Sequence, residues 1–279
     1  MAVDYRHGIA IFSLIVYLPC FFVAVYVALR HGFAKSAGWF FLVVLSLVRV
    51  VGSCLELATI ANPTEGLFTA AAVCKSVGIS PLILACIGLL QRANNSIINR
   101  GRKGAPPILF RVIGLLVLVG LILSIVGTTS QDNGVMYKPN GKSKASICIT
   151  LGVWVCTVGL VFIINSNKHN LPAGEKRLLL AVAISLPFVL IRLIYSLISA
   201  FSHSPRFSIV SGNVTIYLVM ALLEEMVVVI TCLAVGVTLQ PDGVAAGRGE
   251  PGSAEEEMKV FQEARDNGYG QSVPAPYTR

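Results

Sequence analysis

Apolar residues occupy seven long runs of this 279-residue chain, and short polar segments separate the runs. A helix that crosses the hydrocarbon core of a bilayer needs about 20 predominantly apolar residues. The runs therefore predict spanning helices over residues 8–29, 37–60, 67–90, 108–127, 145–164, 178–200 and 214–239. Turn-forming residues such as Asn62 and Pro63 lie between them. The pattern predicts an all-α integral membrane protein with a seven-transmembrane-helix bundle.

The composition changes abruptly after residue 239. Residues 240–279 are rich in Gly, Pro and Ala, and they contain an acidic run at Glu255, Glu256 and Glu257. Such a segment has too little apolar surface to bury on folding. We therefore predict two parts, a transmembrane domain over residues 1–239 and a disordered cytoplasmic tail over residues 240–279.

The low charge content excludes a soluble protein. Charged residues make up 13% of the chain and hydrophobic residues 55%. Soluble domains carry about 25% charged residues, so a soluble surface of this size could not be covered. The net charge of +8 includes no basic stripe with interleaved aromatic residues. This distribution excludes nucleic acid as a partner and favours the lipid bilayer.

The distribution of Lys and Arg between the predicted loops indicates an orientation. Nine of these residues lie in the first, third and fifth loops, against five on the opposite side. Because cytoplasmic loops carry the excess of basic residues, we predict that the N-terminus is outside or lumenal and that the C-terminus is cytoplasmic. The expected location is an endomembrane such as the endoplasmic reticulum.

Metal and nucleotide chemistry find no support in the sequence. All seven cysteines lie inside apolar runs without a CxxC pair, and the four histidines lie near span ends or in loops. No Asp lies in a predicted span, which leaves no cluster for magnesium diphosphate, and no Walker or Rossmann loop is present. Predicted span seven also lacks the Schiff-base lysine of microbial retinal proteins. We predict no metal site and no cofactor.

The informative residues are ionisable ones inside the predicted spans, namely Arg49, Glu56, Lys75, Arg192, Glu224 and Glu225. Each costs at least about 2.5–3.5 kcal/mol near the centre of a bilayer, so all should face the bundle interior and pair. We expect Glu56 to approach Lys75, because both lie near one turn between adjacent spans. Arg192 should meet Glu224 or Glu225 between spans six and seven.

Helical spacing predicts which neighbours these residues have. One face of span two carries Arg49, Gly52, Ser53 and Glu56, and a stripe on span six carries Ser185, Arg192, Ser196 and Ser199. A face of span seven carries Tyr217, Met220, Glu224 and Thr231. Glu225 points about 100° away from Glu224, so the two carboxylates cannot share one environment.

Two interpretations of these charges remain open. The first is an ion-pair network that only fixes the helix register. The second is a pocket with a proton donor or a substrate anchor, since burial makes a protonated carboxyl group available as an acid.

Four stretches carry a family resemblance: RVVGSCLEL at 49–57, GISPL at 78–82, LPFVLIRLIY at 186–195 and EMVVV at 225–229. They resemble a fungal family of seven-span proteins that includes the membrane-bound terpene cyclases of ascofuranone-type meroterpenoid pathways. The resemblance covers all seven predicted spans. It implies an isomerase of fungal secondary metabolism that protonates the epoxidised prenyl chain of a meroterpenoid intermediate and cyclises it without a metal.

The ionisable residues, together with Tyr217 and with Tyr195 at the end of the stretch 186–195, take the following roles in that interpretation. The candidate catalytic acids are Glu56, Glu224 and Glu225, and the candidate substrate-binding residues are Arg49, Lys75, Arg192, Tyr195 and Tyr217. We expect the carboxylate closest to a cation to stay ionised and the less compensated one to donate the proton. Glu56 is favoured as the donor, because Gly52 and Ser53 on its face leave room for a substrate. The expected partners are a lipophilic prenylated small molecule and membrane enzymes of the same pathway.

Two other function classes remain open. One is a seven-span sensor that resembles a receptor and couples to cytoplasmic partners through the predicted loop 91–107. The other is a lipid-handling protein for resistance or transport, in which the intramembrane charges are structural. A substrate path open to both leaflets would favour the latter.

Overall fold

The computed structural model describes residues 5–32, 37–99, 101, 104–129, 141–166, 172–201 and 214–239. The predicted tail over residues 240–279 lies outside the described residues. Within the described part, seven helical segments are long and apolar enough to cross a membrane. The fold is therefore the predicted all-α integral membrane bundle.

Five of the seven spans are single α-helices: α1 (Tyr5–His31), α2 (Ala37–Ala58), α5 (Pro107–Thr129), α6 (Gly141–Ser166) and α7 (Ala173–Phe201). The other two spans are composite. Span three consists of α3 (Glu65–Val77) and α4 (Ile79–Ile98), and span seven consists of α8 (Val214–Tyr217), a π-helical segment (Leu218–Leu223) and α9 (Glu224–Thr238).

Span three lies at the centre of the bundle. It is 34 residues long, and 78% of its most apolar window is buried. By contrast, the corresponding windows of α1, α5 and α6 are only 28%, 22% and 28% buried. Their outward faces carry large apolar side chains, including Phe22 at 64% exposure and Phe162 at 68%. Such exposure of apolar surface is stable only when lipid covers it.

Span three is also longer than predicted. Residues 91–98 were expected in a loop, but α4 continues to Ile98. The apolar helical spacing explains the extension, because Leu90, Ala93 and Ile97 follow one another at three- and four-residue intervals and are fully buried. The extension carries Arg92 and Asn94 into the bundle instead of leaving them in a loop.

The two ends of the bundle can be told apart by the contacts between α1 and span seven. At one end, which we call the amino face, the Tyr5 and Thr215 hydroxyls lie 3.5 Å apart. At the other end, the carboxy face, Arg30 donates to the Val237 carbonyl at 2.9 Å and His31 Nε2 lies 3.0 Å from the Gly236 carbonyl. The first and seventh spans therefore run in parallel, as an odd number of crossings requires.

Candidate functional site

A buried arginine–glutamate pair joins α2 to α9. Arg49 Nε donates to Glu225 Oε1 at 2.6 Å, and Arg49 Nη2 donates to Glu225 Oε2. The third guanidinium nitrogen, Nη1, donates to the Tyr217 hydroxyl at 2.9 Å. Arg49 is 4% exposed and Glu225 is fully buried. This bidentate geometry is the strongest form of a charge-assisted hydrogen bond in proteins.

Arg192 of α7 brings a second guanidinium to the same carboxylate. Its Nε lies 3.6 Å from Glu225 Oε2, and its Nη2 donates to the Lys75 carbonyl at 3.3 Å. The expected contact of Arg192 with Glu224 or Glu225 is therefore confirmed, with Glu225 as the partner. One carboxylate thus neutralises part of two cations, and Arg192 ties α3, α7 and α9 together.

The pair between Glu56 and Lys75 is also confirmed. Lys75 Nζ of α3 donates to Glu56 Oε1 of α2 at 2.6 Å. The same ammonium group lies 5.5 Å from the centre of the Tyr217 ring, within the range of a cation–π interaction. The side chains of Lys75 and Glu56 are 15% and 11% exposed, so this pair is less enclosed than Glu225. We call Arg49, Glu56, Lys75, Arg192, Tyr217 and Glu225 the ionic centre.

The π-helical segment decides which of the two adjacent glutamates enters the ionic centre. In an uninterrupted α-helix, Glu224 would share a face with Tyr217, as predicted. A π-helical turn accommodates one extra residue, because its hydrogen bonds connect i to i+5. The segment Leu218–Leu223 therefore brings Glu225 to the face that carries Tyr217, and both contact Arg49. The predicted pairing of Tyr217 with Glu224 on one face is wrong for this reason.

Glu224 has a different environment from Glu225, as expected. It is half-buried, and it interacts electrostatically with Arg192. Its Oε2 atom is buried and has no hydrogen-bond partner among the described residues. Glu224 is thus the least compensated of the three candidate acids, but it is not among the residues that line the cavity at the ionic centre.

That cavity is small. Its volume is about 20 Å³, and the lining residues include Arg49, Gly52, Ser53 and Glu56, the complete predicted face of span two. A space of this size holds about one water molecule. Residues of α1, among them Ser13, close its opposite wall. The side chains therefore meet around a nearly filled space.

The stripe on span six also faces inward. Ser185, Arg192 and Ser199 are 0%, 4% and 5% exposed, and Ser196 is half-buried. Tyr195, another predicted site residue, is 2% exposed on α7 but does not line the cavity at the ionic centre. The predicted substrate-binding residues Arg49, Lys75 and Tyr217 do line it.

Sequence reasoning missed Tyr17 of α1. Its side chain is fully buried, and its hydroxyl interacts electrostatically with Glu225, Arg49 and Arg192. A tyrosine within an apolar span was the available signal, since a buried phenol usually finds a polar partner. Tyr17 of α1 therefore lies near the ionic centre, although its hydroxyl has no hydrogen-bond partner among the described residues.

A second polar cluster at the carboxy face was also missed. Arg92 Nη1 lies 3.2 Å from His31 Nδ1, and Arg92 Nε lies 3.3 Å from Glu175 Oε1. Because Arg92 only donates and the Gly236 carbonyl only accepts, His31 carries its hydrogen on Nε2. The cluster joins α1, α4, α7 and α9. It was missed because Arg92 was assigned to a loop.

The described residues contain no group of three or more His, Cys, Asp or Glu side chains that could hold a metal ion. The donor set of the ionic centre is instead two carboxylates matched with three cations. Such a set can hold and move protons, and it can fix the position of a polar group inside the membrane.

Gly78, at the junction of α3 and α4, gives the ionic centre its space. A Cβ atom there would overlap Arg49 Nη2 and would lie 3.1 Å from Glu225 Oε2. We expect Gly78→Ala to destabilise the bundle by about 1–3 kcal/mol through this overlap. The matched control is Gly114→Ala on α5, where a Cβ would meet nothing within 4 Å. Thermal unfolding in detergent measures the difference, and equal stabilities of the two variants would contradict the expectation.

The family comparison covers the whole bundle. A family model described as a domain of unknown function, DUF7702, matches residues 3–242. No curated protein and no solved structure matches the chain. Because the match includes all seven spans and the ionic centre, the chain belongs to the DUF7702 family.

Proposed function

We propose that this protein is a metal-independent membrane terpene cyclase that acts on the epoxidised prenyl chain of a meroterpenoid intermediate. The observation that carries the proposal is the unequal treatment of two carboxylates in one intramembrane site. Glu225 is fully buried between two arginines, whereas Glu56 lines the cavity with a single lysine as its partner. Two carboxylates in such different environments are suited to different roles.

Glu225 serves as a fixed anion in this proposal. Both of its oxygens accept hydrogen bonds from Arg49, and Arg192 adds a second positive charge beside it. Paired with two arginines, Glu225 leaves no negative charge for the carbocation, so its role is to fix Arg49 and, through Arg49, the Tyr217 hydroxyl. The Tyr217 ring already faces one cation, Lys75, and a carbocation could occupy the same face.

Glu56 serves as the acid, because it lines the cavity at the ionic centre whereas the less compensated Glu224 does not. It receives a proton from Lys75 at 2.6 Å and gives it to the epoxide oxygen. The carbon–oxygen bond then opens to a hydroxyl group and a carbocation, and a double bond of the chain supplies the electron pair that closes the ring. Loss of a proton from carbon to the basic pair ends the reaction. Atoms and charge balance without a metal or cofactor, so the net reaction is an isomerisation.

The size of the cavity adds a requirement to the proposal. A space of about 20 Å³ cannot hold a prenylated phenol. The walls must therefore separate when the substrate enters from the bilayer.

The direct test is a cyclisation assay. Microsomes that contain the protein receive an epoxidised prenyl-phenol in the presence of a chelator of divalent metals, and the products are separated by chromatography. We expect a cyclised isomer of the substrate. A strict dependence on added magnesium would contradict the proposed chemistry.

Lipid handling is the second candidate function, and one observation favours it. An apolar groove of about 860 Å³ lies between α6 and α7, with Asn165 and Lys176 among its lining residues. The exposed side chains of Phe162 and Leu180 in its walls indicate that it opens to the bilayer. Lipid that co-purifies at this groove in a protein without cyclase activity would favour this function.

We propose in addition that the amino face is lumenal and the carboxy face cytoplasmic, in an endomembrane such as the endoplasmic reticulum. The support is the nine-to-five distribution of Lys and Arg between the two sides. The exposed residues Asn99, at the end of α4, and Ala61, between α2 and α3, lie at opposite faces.

A labelling experiment tests this orientation. In sealed microsomes, a membrane-impermeant thiol reagent added from the cytoplasmic side is expected to label Asn99→Cys. It is expected to label Ala61→Cys only after the membrane is permeabilised. The reverse pattern would overturn the orientation.

A further inference from the structure

A second internal cavity lies beside the ionic centre, and hydroxyl groups dominate its lining. Its volume is about 30 Å³, and eight of its twelve lining residues are Ser or Thr. They come from four helices: α3 contributes Ser76, while α5, α6 and α7 contribute the other seven. Such a concentration of hydroxyl groups is unusual in an environment where each polar group needs an internal partner.

Most of these hydroxyl groups leave their oxygen lone pairs available. Ser76, Thr150 and Ser196 each donate to the carbonyl four residues earlier in their own helix, at 2.9, 2.8 and 3.1 Å. Ser146 donates to the Gly120 carbonyl of the neighbouring helix at 2.6 Å. A hydroxyl group that donates in this way can still accept two hydrogen bonds. The cavity therefore suits a guest that donates hydrogen bonds.

Ser199 gives independent evidence of a guest. Its side chain is 5% exposed and lines the cavity, and its Oγ is buried without a hydrogen-bond partner among the described residues. Buried polar groups are almost always satisfied by protein or by ordered water. A volume of about 30 Å³ accommodates roughly two water molecules, each of which needs two to four polar partners.

The cavity extends from the chain neighbours of Lys75 and Arg192 toward the amino face, although no residue of the ionic centre lines it. At the inner end, Ser76 follows Lys75 in the chain, and Ser196 donates to the Arg192 carbonyl. At the outer end lie Ser143, in the first turn of α6, and Thr128, in the last turn of α5. The lining residues of α7, from Leu193 to Ala200, extend over about 10 Å of the helix axis.

The lining also keeps lipid out. Ser143, Ser146 and Thr150 are between 4% and 8% exposed. α5 and α6 approach closely on this side, since a Cβ on Gly127 would lie 3.2 Å from the Ser143 Cβ. Small residues at such a contact seal the space between two spans.

We infer that this cavity is a water-filled vestibule that gives water and protons access from the amino face to the Arg192–Lys75 side of the ionic centre. The inference does not depend on cyclisation, because the hydroxyl lining and its position are the same whatever reaction the ionic centre performs. The alternative is a water-free helix interface in which the hydroxyl groups serve only to pack the helices.

Silver-ion accessibility of single cysteines distinguishes these cases. Silver is small enough for a narrow space and reacts only with thiols in contact with water. The native Cys148 is exposed on the outer side of α6, two residues from both Ser146 and Thr150. It is the matched control at the same membrane depth. The variants are Ser146→Cys, Thr150→Cys and Ser199→Cys in the full chain with all seven native cysteines replaced by alanine, and the control is the same chain with Cys148 alone retained.

The folded protein is first treated with silver, then denatured and labelled with a maleimide, and the fraction of thiol that silver has protected is measured. Only protein that elutes as a folded species is scored. We expect the vestibule cysteines to be protected on the order of tenfold faster than Cys148, because thiolates form readily in water and poorly in apolar surroundings. If one variant fails to fold, the others on α6 or α7 decide the result. Protection no faster than that of Cys148 would overturn the vestibule.

Discussion

Glu225→Gln is expected to destabilise the folded bundle by about 3–5 kcal/mol. The substitution keeps the shape of the side chain but removes the negative charge that faces Arg49 and Arg192. Arg49 is 4% exposed and all its hydrogen bonds lie inside the bundle, so its charge cannot reach water after the change. The loss comes from leaving a cation buried without compensation rather than from the energy of one hydrogen bond.

Titration of the purified protein in detergent with a denaturant gives its free energy of unfolding and so measures this loss. Glu224→Gln is the matched control, because it makes the same chemical change at the next residue, which is half-buried and outside the ionic centre. We expect it to cost much less. Equal losses for the two variants would contradict the register that the π-helical segment imposes on span seven.

Glu56→Gln is expected to lower cyclisation by about 10²–10⁴-fold while the bundle still folds. Glutamine keeps the volume of the side chain but cannot donate a carboxyl proton to an epoxide. The side chains of Lys75 and Glu56 are less enclosed than Glu225, at 15% and 11% exposure, so folding should suffer less than with Glu225→Gln. Loss of turnover and loss of stability are therefore separable at this position.

Turnover per folded protein is measured in microsomes with an epoxidised prenyl-phenol and without divalent metal. The control is Glu65→Gln, at the exposed start of α3 and outside the ionic centre, which should leave turnover unchanged. Glu224→Gln and Glu225→Gln complete the series. Undiminished cyclisation in Glu56→Gln, Glu224→Gln and Glu225→Gln alike would contradict an acid mechanism through any of these carboxylates.

The sequence predicted two of the ion pairs because the cost of charge in a membrane leaves few alternatives, but it did not predict the pair between Arg49 and Glu225. An unpaired Lys75 or Arg192 would be so unfavourable that nearby carboxylates on adjacent spans were the natural partners. The contact of Lys75 with Glu56 and that of Arg192 with Glu225 follow from this argument. The seven spans were predictable for a related reason, since only long apolar helices satisfy their own backbone groups in lipid.

The register of span seven could not be predicted in the same way. No proline, glycine or polar residue in Leu218–Leu223 marks a π-helical segment, so the regular helical period assigned Tyr217 and Glu224 to one face. The pairing of Glu225 with Arg49 requires the extra residue and thereby stabilises the π-helical segment. Tertiary contacts 176 residues apart thus decide a local backbone conformation.

The hydroxyl-lined cavity could not be predicted from the sequence, for a different reason. A stripe containing Ser196 and Ser199 was visible on span six, but Ser and Thr are common in membrane helices as packing residues. Only the three-dimensional arrangement brings Ser76, Ser146 and Thr150 to the same space. Convergence of residues from four spans leaves no periodic signal in any one of them.

The distance in the chain between Arg49 and Glu225 has a consequence for biogenesis. Glu56 finds Lys75 after 19 residues, but Arg49 waits for a partner 176 residues later. At about 5–20 residues per second, synthesis of that interval takes roughly 10–35 s. During this time the second span carries an uncompensated guanidinium, at a cost of at least about 2.5–3.5 kcal/mol near the centre of the bilayer. Release of the chain from the insertion machinery should therefore await span seven, and a nascent chain truncated before it would be a substrate for membrane quality control.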